Sequence, residues 1–314
     1  MLSVIIPSFN ECDNIRRTAS VIADILRNDG IDYELIFVDD GSSDGTWKEI
    51  TAAAEGDPGV RGVGFSRNFG KEGAIFAGLK AAEGDCAVVI DCDLQHPPEL
   101  IPQMYRLWEG GAEVVEAVKR SRGREGVFHK LFAKSFYKLM KSSSGINLDG
   151  ASDFKLMDRK VINALNEMPE RITFFRALSS WVGFTTERVE FDVQPRAAGK
   201  SKFSMKSLFR FAMNSITSFT NLPIHLITWV GVLFGIMALI LGIQTLVKYF
   251  CGNSAEGFST VILLILITGA CVMVGIGVIG YYLSKIYEEI KQRPRYIISR
   301  TTGKSGGKDS INGK

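Results

Sequence analysis

Paired cysteines are missing from this 314-residue chain. Its five cysteines, Cys12, Cys86, Cys92, Cys251 and Cys271, are scattered and odd in number, with no Cys-x-x-Cys pair. That pattern argues against a disulfide framework and structural zinc, and it fits a reducing compartment. Neither sign of charge is in large excess: the formal net charge is +3, so bulk charge gives no reason to expect nucleic acid as a partner. No basic segment leads into an apolar stretch at the amino end, where Leu2-Ser3-Val4-Ile5-Ile6 reads directly as a strand. A cleavable signal peptide is therefore not expected. Internal repeats are not evident.

What is present first is alternation. Short apolar, β-prone runs at 2–6, 34–38, 60–65 and 86–90 are separated by helical stretches near 13–28, 45–54 and 71–82. Such spacing predicts βαβ units and a mostly parallel sheet in an α/β domain. Further strands are expected at 113–118 and 187–193.

Two carboxylates, Asp91 and Asp93, follow the run Cys86-Ala87-Val88-Val89-Ile90 and precede Leu94-Gln95. Strand ends at the carboxyl edge of an open sheet are where ligands bind. On extended backbone the two would point the same way, and their charges repel unless a cation intervenes. Asp91, Asp93 and the Gln95 amide suit a hard ion, Mg²⁺ or Mn²⁺. Capping of a following helix is the alternative for this pair.

Two other strands also end in polar loops. Val4-Ile5-Ile6-Pro7-Ser8-Phe9-Asn10-Glu11 offers an aromatic and a carboxylate, and Val38-Asp39-Asp40-Gly41-Ser42-Ser43-Asp44-Gly45-Thr46 offers acids and glycines. Neither is a Gly-x-Gly-x-x-Gly turn or a P-loop. They could hold a base and ribose by stacking and carboxylate hydrogen bonds, or the acids could serve turns and caps, the role assigned to Asp44. Ser66-Arg67-Asn68-Phe69-Gly70-Lys71 brings cations to the same edge. Arg196 and Lys202, in a basic loop, suit phosphate oxygens.

Residues 226–247 and 260–283 carry no formal charge. Each is long enough to cross a hydrocarbon core of about 30 Å. Basic residues crowd the outer ends of this pair, so both termini are expected in the cytoplasm. Residues 128–140 and 205–219 show apolar and basic positions at helical spacing, as an interfacial helix or a core-facing one would.

Together the Ile-Pro-Ser-Phe-Asn-Glu, Val-Asp-Asp-Gly-Ser-Ser-Asp-Gly-Thr, Ser-Arg-Asn-Phe-Gly-Lys, Asp-x-Asp-Leu-Gln, Asp153-Phe154-Lys155-Leu156-Met157 and Arg-x-x-Gly-x-Ser-Lys segments resemble family 2 glycosyltransferases. The similarity is greatest to polyprenyl-phosphate glycosyltransferases, the bactoprenol glucosyltransferases and dolichol-phosphate mannose synthases. It implies a GT-A domain and an inverting hexosyltransferase that joins a nucleotide-sugar donor to a polyprenyl (undecaprenyl) phosphate acceptor. It implies that Pro7, Phe9 and Glu11 line the nucleoside pocket, that Asp40 reaches the base, and that Asp91 reaches the ribose or metal. Asp93 and Gln95 would bind Mg²⁺ or Mn²⁺, Arg120, Arg196 and Lys202 would face phosphates, and Asp153 would be an active-site carboxylate.

The expected organisation is a cytoplasmic catalytic domain at 1–200, an amphipathic interface helix at 201–222, a transmembrane hairpin at 223–285 and a basic tail at 286–314, disordered from Thr301. Integral placement in the inner or plasma membrane follows, with contact to membrane lipid and homo-oligomeric assembly, a tetramer being one candidate. A UDP-hexose is the favoured donor, with GDP-mannose the alternative. A processive polysaccharide synthase would carry a Gln-x-x-Arg-Trp motif, which the residues before Trp181 do not supply, and two spans cannot enclose a pore in a monomer. A non-catalytic nucleotide-sugar sensor or scaffold is the rival from another class.

Overall fold

The structure is a computed structural model that describes residues 1–119, 152–169, 174–191, 222–251 and 258–302. The chain divides into two compact units, one of residues 1–203 with 292–314 and the other of residues 204–291.

The first unit is built on one eight-stranded sheet in the order β7-β5-β6-β4-β1-β2-β3-β8. Strands β1 (Leu2–Ser8), β2 (Tyr33–Asp39), β3 (Val60–Phe65) and β4 (Cys86–Val89) occupy the expected places and pair in parallel. Helices α1 (Ile15–Asn28), α2 (Thr46–Gly56) and α3 (Lys71–Ala81) make the crossovers, and α4 (Leu100–Glu109) follows β4. Alternate residues of β1 go to opposite faces. Leu2, Val4 and Ile6 join the core with Ile15, Ile22, Ile50 and Ile101 of α1, α2 and α4. Ile5 on the other face lies under Gly78 of α3. Both faces are covered, which is why these strands read as apolar runs.

β5 (Val114–Lys119) and β7 (Thr186–Phe191) pair in parallel near the positions expected for them. Between β5 and β4 lies β6 (Lys155–Asp158), antiparallel to both. α5 (Arg159–Glu167) and α6 (Phe175–Trp181) complete this half. β6 has no apolar signature because Lys155 is buried within it. Its ammonium lies 3.0 Å from buried Glu116 and donates to Ser179 Oγ at 2.8 Å.

The second unit holds two long helices, α7 (Leu222–Phe250) and α8 (Phe258–Ile290), which pack on each other with Gly275 against Ile227. Within them, Ile224–Gln244 and Ile267–Ile290 are long and apolar enough to cross a membrane, and almost none of either stretch is buried. Apolar surface on that scale points to membrane association. The second helix continues past the expected end at 283. The interfacial stretches 128–140 and 205–219 lie outside the described residues.

The tail differs from expectation. Thr301 and Thr302 are not disordered: they close β8 (Ile298–Thr302), which runs antiparallel to β3 at the sheet edge. Residues 303–314 lie outside the described residues.

The strand order reverses at β1, with β2 on one side and β4 on the other. The carboxyl ends of β1 and β4 therefore flank the crevice where open α/β sheets bind ligands. The β2–α2 loop turns against the β3–α3 loop at Gly41, which has φ +67°. A Cβ there would lie 2.4 Å from the Arg67 carbonyl carbon and 2.7 Å from Asn68 N. Gly41→Ala is expected to destabilise the fold by about 1–3 kcal/mol through strain and collision. A thermal melt matching the wild type would refute this packing.

Candidate active site

β4 ends at Val89, one residue earlier than its apolar run suggests, and Leu94 adopts φ +55°. The Asp91–Asp93 pair therefore sits in a turn beyond the strand and not on extended backbone. Buried Cys92 anchors that turn, its carbonyl accepting from Thr18 Oγ1 at 2.8 Å. Asp91, Asp93 and Gln95 flank it, each half-buried. The Gln95 N–H donates to Asp93 Oδ1 at 3.1 Å.

Asp91 is ion-paired. Lys71, the first residue of α3, places Nζ 2.5 Å from Asp91 Oδ1 and 2.7 Å from Asp153 Oδ2. Asp153, buried just before β6, also receives Arg176 of α6 through Nε at 2.6 Å and Nη2 at 3.0 Å. Desolvation alone would raise the Asp153 pKa, but the charges of Lys71 and then Arg176 outweigh it and hold the carboxyl well below the usual range. Asp91 is likewise lowered, with Lys71 and then His96 overriding desolvation. Desolvation would lower the Lys71 pKa, yet the charges of Asp153 and Asp91 raise it. His96 places Nδ1 3.9 Å from Asp91 Oδ2 and stacks on Phe154.

The nucleoside-side loops are tied to one another. Asn10, at φ +54°, donates its N–H to Ser42 Oγ at 2.9 Å and accepts from Ser43 N–H at 3.0 Å. The Glu11 N–H donates to Thr46 Oγ1 at 2.8 Å, and its carboxylate accepts from Asn14 Nδ2. Phe9 presents a ring that is 37% exposed beside half-buried Pro7. Asp44 accepts from Thr46 N and Oγ1, the turn chemistry expected of it.

Asp40, expected to reach the base, follows the last residue of β2. It is buried, and its carboxylate accepts from Phe69 N–H at 2.6 Å and from Gly70 N–H at 2.9 Å. It thus supplies from β2 an anionic cap for α3, the helix that delivers Lys71. Arg120, Arg196 and Lys202 lie outside the described residues. Lys71 was legible only as a cation near the edge. Glu72 and His96 adjoin the Lys71 and Gln95 segments without having been singled out, and Arg176 is brought in by the topology.

The side chains at the β4 turn offer hard oxygens from two carboxylates and one amide. No three His, Cys, Asp or Glu side chains converge as a metal cage among the described residues. So few protein ligands fit an ion such as Mg²⁺, which keeps water and takes diphosphate oxygens.

The glycosyl transferase family 2 model matches residues 3–165, spanning β1 to α5 and every loop described above except the start of α6. The chain belongs to glycosyl transferase family 2. It is similar to an uncharacterised glycosyltransferase of Synechocystis, at 38% identity over 304 residues covering 96% of each chain. It is also 38% identical over 301 residues to a prophage bactoprenol glucosyl transferase homolog of Escherichia coli, covering 95% of this chain and 98% of that one. A solved mycobacterial protein overlaps 70% of this glycosyltransferase and 74% of its own chain at TM-score 0.50 and 22% identity, a likeness of fold. The first unit of this family 2 enzyme is a GT-A domain with a mostly parallel sheet.

Glu72 sits beside the ion network, accepting from Phe175 N–H at 2.7 Å. Desolvation, then the charge of Asp153, pushes its carboxyl up from 4.5 to about 7. The folded state therefore keeps a proton that the unfolded chain releases, and stability falls as pH rises from 4.5 to about 7. Glu72→Gln should flatten that part of the profile. Melts at pH 5 and pH 8 check this, and an equal fall in both proteins would count against it.

Proposed function

We propose that this glycosyltransferase moves a hexose from a nucleotide sugar, UDP-glucose or another UDP-hexose, to polyprenyl phosphate, with inversion, at the cytoplasmic membrane face. The observation that carries this reading is the full-length likeness to a relative named for bactoprenol glucosyl transfer, which takes in the GT-A unit and both long apolar helices. A lipid acceptor gives a catalytic unit of this kind a reason to carry membrane-crossing segments. Residues on both sides of the hairpin build the first unit. Two crossings would return the chain to the side it left, which supports a cytoplasmic catalytic unit on the strength of the basic flanks.

Pro7, Phe9 and Glu11 line the nucleoside side in this reading, with Phe9 offering a stacking face. Asp93 and Gln95, with Asp91 beside them, would hold a divalent ion, whose charge would stabilise the departing diphosphate. Lys71 orients Asp91 and Asp153 together, so donor and acceptor sides share one cation. Arg120, Arg196 and Lys202 are assigned to donor or acceptor phosphates.

Asp153 acts as an electrostatic and orienting group. A carboxylate held that far below its normal range is a weak base. The acceptor hardly needs one, because a phosphate monoester has a second pKa of about 6.

Incubating membranes that carry the protein with polyprenyl phosphate, Mg²⁺ and a panel of labelled nucleotide sugars should give lipid-extractable product with one donor. Product from GDP-mannose alone would make the enzyme a mannose synthase, and no product from any donor would favour a sensor or scaffold. Asp93→Asn should lower transfer by about a hundredfold or more, and unchanged transfer would sink the metal role. The rise of activity through about pH 6 should belong to the acceptor phosphate and persist in Asp153→Asn at a lower plateau. Loss of that limb in the variant would make Asp153 the base.

A further inference from the structure

The strand that follows the membrane helices reaches the nucleotide side of the GT-A unit. β8 enters the sheet through several fastenings. Tyr296 stacks flat on Phe65 at 5.1 Å, and the Ile297 carbonyl accepts from Ser66 N–H at 3.0 Å. Arg295 lies over Phe76 and donates to the Met168 carbonyl. Thr302 Oγ1 accepts from Gly62 N–H at 2.8 Å. These contacts hold the edge strand to β3 and its surroundings. Arg300 does something else. Its Nη2 lies 2.9 Å from Oδ2 of Asp39, a fully buried carboxylate at the end of β2. Its guanidinium lies 4.4 Å from the Trp47 ring centroid, within range of a cation–π contact.

The place for this side chain is shaped. A Cβ on Gly64 would lie 2.7 Å from Arg300 Cγ and 2.9 Å from Trp47 Cζ3, so only glycine leaves the slot between β3 and α2 open. A carboxylate as buried as Asp39 requires a partner, and the partner comes from beyond the membrane hairpin. From Asp39 the contacts run on into the nucleoside loops. Oδ1 accepts from Ser42 N–H at 3.0 Å, and Ser42 Oγ accepts from Asn10 N–H at 2.9 Å. Asn10 is held at φ +54° between Phe9 and Glu11.

We propose that Arg300 is a positioning residue for the donor nucleotide, acting through Asp39 and Ser42 on the Phe9–Glu11 loop. The inference rests on the reading of the chain as a nucleotide-sugar-dependent transferase. Arg300 fixes the direction of Asp39, Asp39 fixes the β2–α2 loop, and that loop fixes the backbone beneath Phe9. Loosening this path weakens nucleotide binding and leaves the Lys71, Asp91 and Asp153 cluster in place.

The test uses the full-length protein in lipid nanodiscs. UDP and GDP binding are measured by calorimetry, and donor KM and kcat are measured with polyprenyl phosphate. Arg300→Met should weaken binding of the cognate nucleotide about tenfold and raise donor KM by a similar factor, with kcat changed by less than about twofold. Arg300→Lys should recover part of the affinity by restoring the charge without the planar stack. Asp39→Asn should weaken binding too, and adding Arg300→Met to it should bring little further loss, because the two act as one unit. Unchanged affinity in Arg300→Met overturns the proposal. So does a fall in kcat at constant KM, the mark of fewer folded molecules, and so do additive losses in the double variant. A wild-type protein that binds neither nucleotide overturns the nucleotide-sugar reading and this inference with it. That result is distinct from wild-type binding that Arg300→Met leaves intact.

Discussion

Carboxylates crowd one edge of a sheet in this protein, and each must be neutralised where it stands. Asp39, Asp40, Asp91 and Asp153 all sit at or near strand ends on the ligand-binding side. Unpaired, they would repel one another and resist burial. Each has its own solution. Asp40 takes two backbone amides at the start of α3. Asp39 takes an arginine from β8. Asp91 and Asp153 share Lys71, and Arg176 completes Asp153. The loops are placed where they are because these partners must reach these acids.

The arrangement also separates two jobs. Acids on the β2 side hold loops, Asp40 through the Phe69 and Gly70 amides and Asp39 through Ser42. On the β4 side Asp91 and Asp93 stay half-buried, and Asp91 and Asp153 share the Lys71 ammonium. A charge that enters beside Asp91 alters the balance felt by Asp153 through Lys71, because both lie within 2.7 Å of the same nitrogen. Asp91 and Asp153 are thus joined by electrostatics across one side chain.

Much of this was legible from local patterning, and the failures have physical reasons. β1 to β4 could be read because strands covered on both faces need continuous apolar runs. β6 could not, since Lys155 is buried in it and is satisfied by Glu116 and Ser179, partners distant in sequence. β8, Ile-Ser-Arg-Thr-Thr, is an exposed edge strand whose polar residues resemble a tail. At the site, Asp91 and Asp93 announced themselves at a strand end. Their turn geometry did not, because it depends on Leu94 entering the left-handed region, which leucine rarely does. Arg176 and Arg300 carry no spacing rule at all, and only the topology brings them to Asp153 and Asp39.

The antiparallel pairing of β3 with β8 has a consequence for how the molecule is made. β3 is synthesised early and waits at the sheet edge with its outer hydrogen bonds unmet. Its partner leaves the ribosome only after both long apolar helices have been made. The sheet is therefore closed by a segment that cannot arrive until both helices have been made. Biosynthesis finishes the two long apolar helices first and the sheet second, so a polypeptide interrupted before β8 has an open edge and an Asp39 without its arginine.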